Sequence, residues 1–158
     1  MKLNKIVVLK LAAIMMGMSA VFISVFWLPK FMEIYIRSNP AFELLSKQVF
    51  TMIYFTLIPF IFSLYQAIEI LCYIEEKSAF SGKVVHALKY IKVSASLIAG
   101  TYIVQMLRFS FISTSEPSIL IIFGVLGFTS VVVALFASVL QELMKSALEI
   151  KSENDLTV

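Results

Sequence analysis

Four polar side chains stand out against an apolar background: Tyr65, Gln66, Glu69 and Gln105. Tyr65 and Glu69 are four residues apart and share a helix face, with Gln66 one position round from Tyr65. An ionisable group among apolar helices is a candidate ligand or proton site, because its charge needs a partner there. The plainer alternative puts Glu69 at a membrane interface, meeting water or paired with Lys77 or Lys89, and its shallow depth favours that reading. Gln105 is expected to hydrogen-bond a neighbouring helix.

Catalytic chemistry has little to work with. There is no Gly-rich phosphate loop, no Ser/His/Asp set with a credible base and no pair of carboxylates deep in an apolar segment. The chain has one cysteine, Cys72, and one histidine, His86, so an internal disulfide and a Cys/His metal cluster are both excluded. No enzymatic activity, cofactor or metal is expected. Lys83, His86, Lys89 and Lys92 recur every three residues, a pattern suited to attracting anionic lipid headgroups.

These residues must be positioned by elements built for lipid. Of 158 residues, 60% are hydrophobic and 15% charged, with mean hydropathy +0.95. A soluble domain of this size could not bury so much apolar surface. The net charge of +3 does not point to nucleic acid, because the basic residues flank apolar segments and form no single stripe. No direct nucleic-acid binding is expected.

A membrane helix needs about 20 mostly apolar residues. The sequence predicts one membrane domain with spans at about 6–28, 49–70, 91–112 and 119–140, joined by a loop at 74–82 and followed by a helical tail at 141–158. The third span is the weakest, lying between Lys92 and Arg108, and it extends toward Ile112 if Arg108 snorkels. The first segment ends in Phe26-Trp27-Leu28-Pro29-Lys30 rather than at a small-residue cleavage site, so it reads as a retained helix with Trp27 as interfacial anchor. Placing both termini in the cytoplasm puts Lys2, Lys5, Lys10, Lys77, Lys83, Lys89, Lys92, Lys145 and Lys151 inside, against Lys30, Arg37, Lys47 and Arg108 outside. The positive-inside rule therefore favours both ends cytoplasmic. The expected fold is an all-α, integral membrane four-helix bundle whose fourth helix extends into the cytoplasm.

Local signals set the ends and faces of these helices. Asn39 and Pro40 suit the cap and first position of the second helix. Pro59, mid-span, removes a backbone donor and is either a hinge or, more commonly, a fixed kink. Ser81 suits the cap of the third helix, with Phe80 and Val85 spaced as a hydrophobic staple. Small residues line one face of the first helix (Ala13, Gly17, Ala20, Ser24), the third (Ser96, Gly100) and the fourth (Gly127, Ser130, Ala134, Ser138). Such faces allow close helix approach within a compact bundle, or in a homo-oligomer.

The chain closes on Glu149-Ile150-Lys151-Ser152-Glu153-Asn154-Asp155-Leu156-Thr157-Val158. Leu143, Met144, Ala147 and Ile150 continue an apolar stripe past the fourth span, so an amphipathic extension is expected, weakening at Ser152 and Asn154 and frayed over the last four residues. The end is either unstructured or a contact site for a partner.

Three stretches carry a family resemblance: TLIPFIFSLYQAIEILCYIEEKSAFS, ALKYIKVSA and VVVALFASVLQELMKSALEIKSENDLTV. They resemble the bacterial domain-of-unknown-function 2975 family of small four-helix membrane proteins, and the resemblance covers nearly the whole chain. It implies a multi-pass protein of the bacterial cell membrane. It supplies no catalytic residues to carry over. The family's genes often neighbour one for a short helix-turn-helix regulator, which implies a membrane partner that restrains or senses for that regulator. Phe80, Ser81, Glu153, Asn154, Asp155 and Leu156 are the candidate partner contacts. Binding or transport of a small molecule around Tyr65, Gln66, Glu69 and Gln105 is a second expectation, and an accessory role in a larger membrane complex a third.

Overall fold

The computed structural model describes residues 2–38, 43–111 and 117–156, and all but the loop at 76–81 are helical. The elements are α1 (Lys2–Phe22), a π-helical stretch (Ile23–Trp27), α2 (Leu28–Ser38), α3 (Glu43–Glu75), α4 (Gly82–Phe111) and α5 (Pro117–Leu156). Four helices are long and apolar enough to cross a bilayer: Lys5–Ser38, Ser46–Glu75, Gly82–Phe111 and Ile119–Asn154. The weakest span in the sequence is thus a continuous helix through Arg108. Asn39, Pro40 and Ile112 lie outside the described residues.

The first helix continues past Leu28, the residue at which the sequence places the end of the first span. It runs from Lys2 to Ser38, about 55 Å at 1.5 Å per residue. A proline inside a helix clashes with the carbonyl four residues back and cannot donate to it. Here the helix widens just before Pro29, and the Leu28 N–H donates to the Ile23 carbonyl, five residues back. In that register the Ser24 carbonyl would next accept from residue 29, but Pro29 has no N–H. The Tyr54 hydroxyl of α3 donates to the Ser24 carbonyl instead, at 2.7 Å.

Packing follows chain order. α4 lies most extensively against α5, then against α3, and α1 packs on α3. Among the described residues, neither α1 nor α3 makes extensive contact with α5, so the first and last spans do not close a ring. The four spans therefore form an open array rather than the closed, compact bundle expected. Named pairs fix the antiparallel registers. Lys10 of α1 pairs with Glu75 of α3. Thr56 of α3 meets Tyr102 of α4. Phe109 of α4 packs edge-on against Phe123 of α5. Accordingly α1 begins, and α5 ends, at the end of the array that carries the 76–81 loop, called here the loop end.

The buried cluster sits toward the other end and joins Val49, Met52, Ile98, Tyr102, Phe109 and Phe123, with Met32 of α2 packed on it. Toward the loop end the buried side chains of α4 and α5 include the small Ala87, Ala95, Ala99 and Ala137. Two of the small-residue faces hold close approaches. A Cβ on Gly127 would lie 3.3 Å from the Tyr102 Cβ, and one on Gly17 would lie 3.4 Å from Leu64 Cδ1. Gly100 is different: a Cβ there would meet nothing within 4 Å.

The helix ends differ in how they are closed. Glu43 lies in the first turn of α3, where the helix dipole favours an anion. The Lys47 ammonium beside it, at 2.9 Å, holds its carboxyl below the ordinary value. α3 closes in a Schellman motif: Ser78 N–H donates to the Tyr73 carbonyl and Lys77 N–H to the Ile74 carbonyl. Lys77 takes the left-handed position usually given to glycine, with φ 58°. Ser81 begins α4 with its backbone only. Its carbonyl accepts from Val84 and Val85, while its hydroxyl is buried and makes no hydrogen bond. The side-chain cap expected from sequence is therefore not formed.

α5 also departs from expectation. It stays helical through Ser152 and Asn154 to Leu156, about 60 Å in all, twice the hydrocarbon thickness of a bilayer. Met144, Ala147 and Leu148 are half-buried and Gln141 is buried, so this part of the helix is not a free tail.

Candidate functional site

The four polar residues singled out by type do not converge. Gln66 is buried, with 6% of its surface exposed, whereas Tyr65 beside it is 60% exposed on an apolar surface shared with α1. Glu69 accepts a hydrogen bond from the Tyr73 hydroxyl at 2.7 Å, one turn on in the same helix. Neither Lys77 nor Lys89 pairs with it among the described residues. Gln105 lies toward the far end of α4, in a cleft with Lys47, Gln48, Thr51 and Thr101. Arg108 approaches its carbonyl oxygen at 3.4 Å. Because Thr56 and Tyr102 are level, Gln105 and Gln66 stand about 20 Å apart along the array.

A different polar cluster ties the loop end together. Lys10, a lone cation within the apolar run of α1, forms an ion pair with Glu75 at the end of α3. Lys83 of α4 sits over the Tyr73 ring, 5.6 Å from its centroid. Tyr73 in turn holds Glu69. Three helices are thus joined by neighbours no sequence spacing relates, since Lys10 and Glu75 are 65 positions apart. The signal for this pair was Lys10 itself, a charge that needs a partner if it lies within lipid.

The candidate partner surface lies at the same end. Phe80 is 53% exposed on the loop beside Ser81. On α5, Leu143 and Ile150 are 59% and 62% exposed, one heptad apart and beyond the span predicted at 119–140. From the α4/α5 register set by Tyr102 and Gly127, Ile150 lies level with Phe80. Glu153 and Asn154 are exposed and helical. The side chains of Asp155 and Leu156 lie outside the described residues. Pro59 is half-buried inside an unbroken α3, and hydroxyl residues passed over in the sequence come together between α3 and α4. Thr56 and Tyr102 share a hydrogen bond at 3.2 Å, and Ser63 Oγ is buried without one.

Residues 3–158 match the family described as "Protein of unknown function (DUF2975)". Over 152 residues the chain is 41% identical to the protein described as "Uncharacterized membrane protein YoaS" of Bacillus subtilis (strain 168), with 95% of each chain covered. No solved structure matches. The chain belongs to the DUF2975 family.

Proposed function

We propose that this DUF2975 member is a regulatory protein of the bacterial cell membrane whose loop end faces the cytoplasm and holds a small helix-turn-helix regulator. One observation carries the reading: Phe80, Leu143 and Ile150 are exposed at the end of the array where α5 outruns the thickness of a bilayer. Large apolar side chains on a water-facing surface mark sites for a protein partner. The excess of lysine at this end supports the cytoplasmic assignment. The family's gene neighbourhood supports the choice of partner. Sequestration follows if the partner's DNA-reading surface is covered while it is bound, and regulation requires two states of the array with different affinity for it.

Co-purification tests this directly. The regulator encoded beside the gene is expected to elute with the full chain from solubilised membranes, and to be lost on Ile150→Glu or Phe80→Glu. Its target genes should then respond as they do when the membrane protein is deleted. A regulator that never co-purifies, with target genes indifferent to both substitutions, would rule the function out.

A further inference from the structure

A cavity of ≈ 450 Å³ opens among α3, α4 and α5, with Met16 of α1 also lining it, at the level of the Thr56–Tyr102 bond and the turns below it. It exists because α4 packs against α3 and α5 while neither α1 nor α3 closes on α5. Ala95 keeps its α4 wall low. Its size falls within the range of ligand-binding cavities, roughly 300–1,000 Å³. None of the residues that line it carries a charge, and five carry hydroxyls: Thr56, Ser63, Tyr102, Thr129 and Ser130.

Four of those hydroxyls are occupied. Thr56 and Tyr102 bond each other, and Thr129 and Ser130 donate to the carbonyls of Val125 and Leu126 in their own helix. Ser63 Oγ is the exception. It is buried, lines the cavity and has no hydrogen-bond partner among the described residues. A helical serine ordinarily satisfies itself on the carbonyl one turn back, as Thr129 and Ser130 do. An unpaired hydroxyl inside a membrane protein is costly enough to require an explanation.

We infer that this cavity binds a neutral amphiphile from the lipid phase, an aliphatic body carrying one hydroxyl or carbonyl oxygen, with Ser63 Oγ as its hydrogen-bond partner. The apolar walls take the aliphatic body. The single unpaired hydroxyl takes one polar atom. A charged headgroup is excluded from the interior because nothing there can pair with it. Entry is lateral, between α5 and the α1/α3 pair. The site is independent of the partner surface at the loop end, and its test does not involve the regulator.

The full chain, purified in detergent, would be irradiated with a 16-carbon fatty alcohol bearing a mid-chain diazirine, and the adducts mapped by mass spectrometry. Parallel arms would use the matching fatty acid as its anion and a diazirine phosphatidylglycerol. Adducts from the alcohol are expected on Phe60, Leu126 and Val133, competed by unlabelled alcohol. Ser63→Ala should weaken half-saturation roughly three- to tenfold, the range of one hydrogen bond. Ala95→Leu should abolish it by filling the cavity. Thr129→Phe, at an exposed lining position, gives a second block that does not disturb a buried seam. Uncompeted adducts spread over lipid-facing residues such as Ile58 and Phe136 would overturn the inference. So would equal labelling by the anion or the phospholipid, or labelling unchanged in Ser63→Ala and in both blocking variants.

Discussion

Pro29 shows how one residue's missing atom is answered elsewhere in the fold. It leaves the Ser24 carbonyl without a helical donor, and Tyr54 of α3 donates to that carbonyl across the interface. Ser24 is buried, so its carbonyl has no alternative in water. Tyr54→Phe is expected to destabilise the protein by about 1–3 kcal/mol, the cost of a buried acceptor left unpaired, measured by unfolding in mixed micelles. Combining it with Pro29→Ala, which restores an N–H, should recover part of the loss. Additive losses in the double variant would sink this account. Lys77 poses the reverse case: a side chain at φ 58° where glycine sits without strain. Lys77→Gly is expected to stabilise by about 0.5–1 kcal/mol, and Lys77→Val to destabilise, in the same assay.

Between helices, small residues decide which faces meet. Gly127 stands where the Tyr102 Cβ leaves little room for a side chain and Gly17 where one would meet Leu64 Cδ1 at 3.4 Å, while Gly100 faces open space. Gly127→Leu should therefore part α4 from α5 and cost about 1–3 kcal/mol as overpacking does. Gly100→Leu should leave stability unchanged within about 0.5 kcal/mol. If the two variants unfold alike, the assigned seam is wrong. α1 is held more lightly, by the Lys10–Glu75 pair at one end and the Tyr54 hydrogen bond at the other. Much of its remaining surface is apolar and exposed, including Val8, Met15 and Phe22, which suits lipid rather than water.

Over the whole molecule, the open array places the start of α1, the α3–α4 loop and the end of α5 together. This makes topology testable with one reagent. In a Cys72→Ser background, Lys151→Cys and Lys77→Cys are expected to be shielded from a membrane-impermeant maleimide in intact cells and labelled after lysis. Lys30→Cys is expected to be labelled from outside. Labelling of Lys151→Cys and Lys30→Cys from the same side would contradict the array as well as the proposed orientation. The same arrangement lets α5 carry any change at the α4 seam out to Leu143 and Ile150 without a joint, because the helix is unbroken from Pro117 to Leu156.

Much of this was legible from residue types alone. Four apolar runs near 20 residues had to be helices, because a backbone in hydrocarbon must bond within its own segment. Gly17 and Gly127 were already marked as close-approach positions by helical spacing. Tyr65, Gln66, Glu69 and Gln105 looked like one site because sequence records polarity and period but not which helix faces which. The structure separates them, burying Gln66, exposing Tyr65 and setting Gln105 far along α4. Pairings such as Lys10 with Glu75 and Tyr54 with Ser24 depend on antiparallel registers that no local pattern encodes. The cavity at Ser63 is likewise a property of how α1, α3, α4 and α5 are arranged. Local chemistry determined what each helix is; only packing decided what its polar atoms meet.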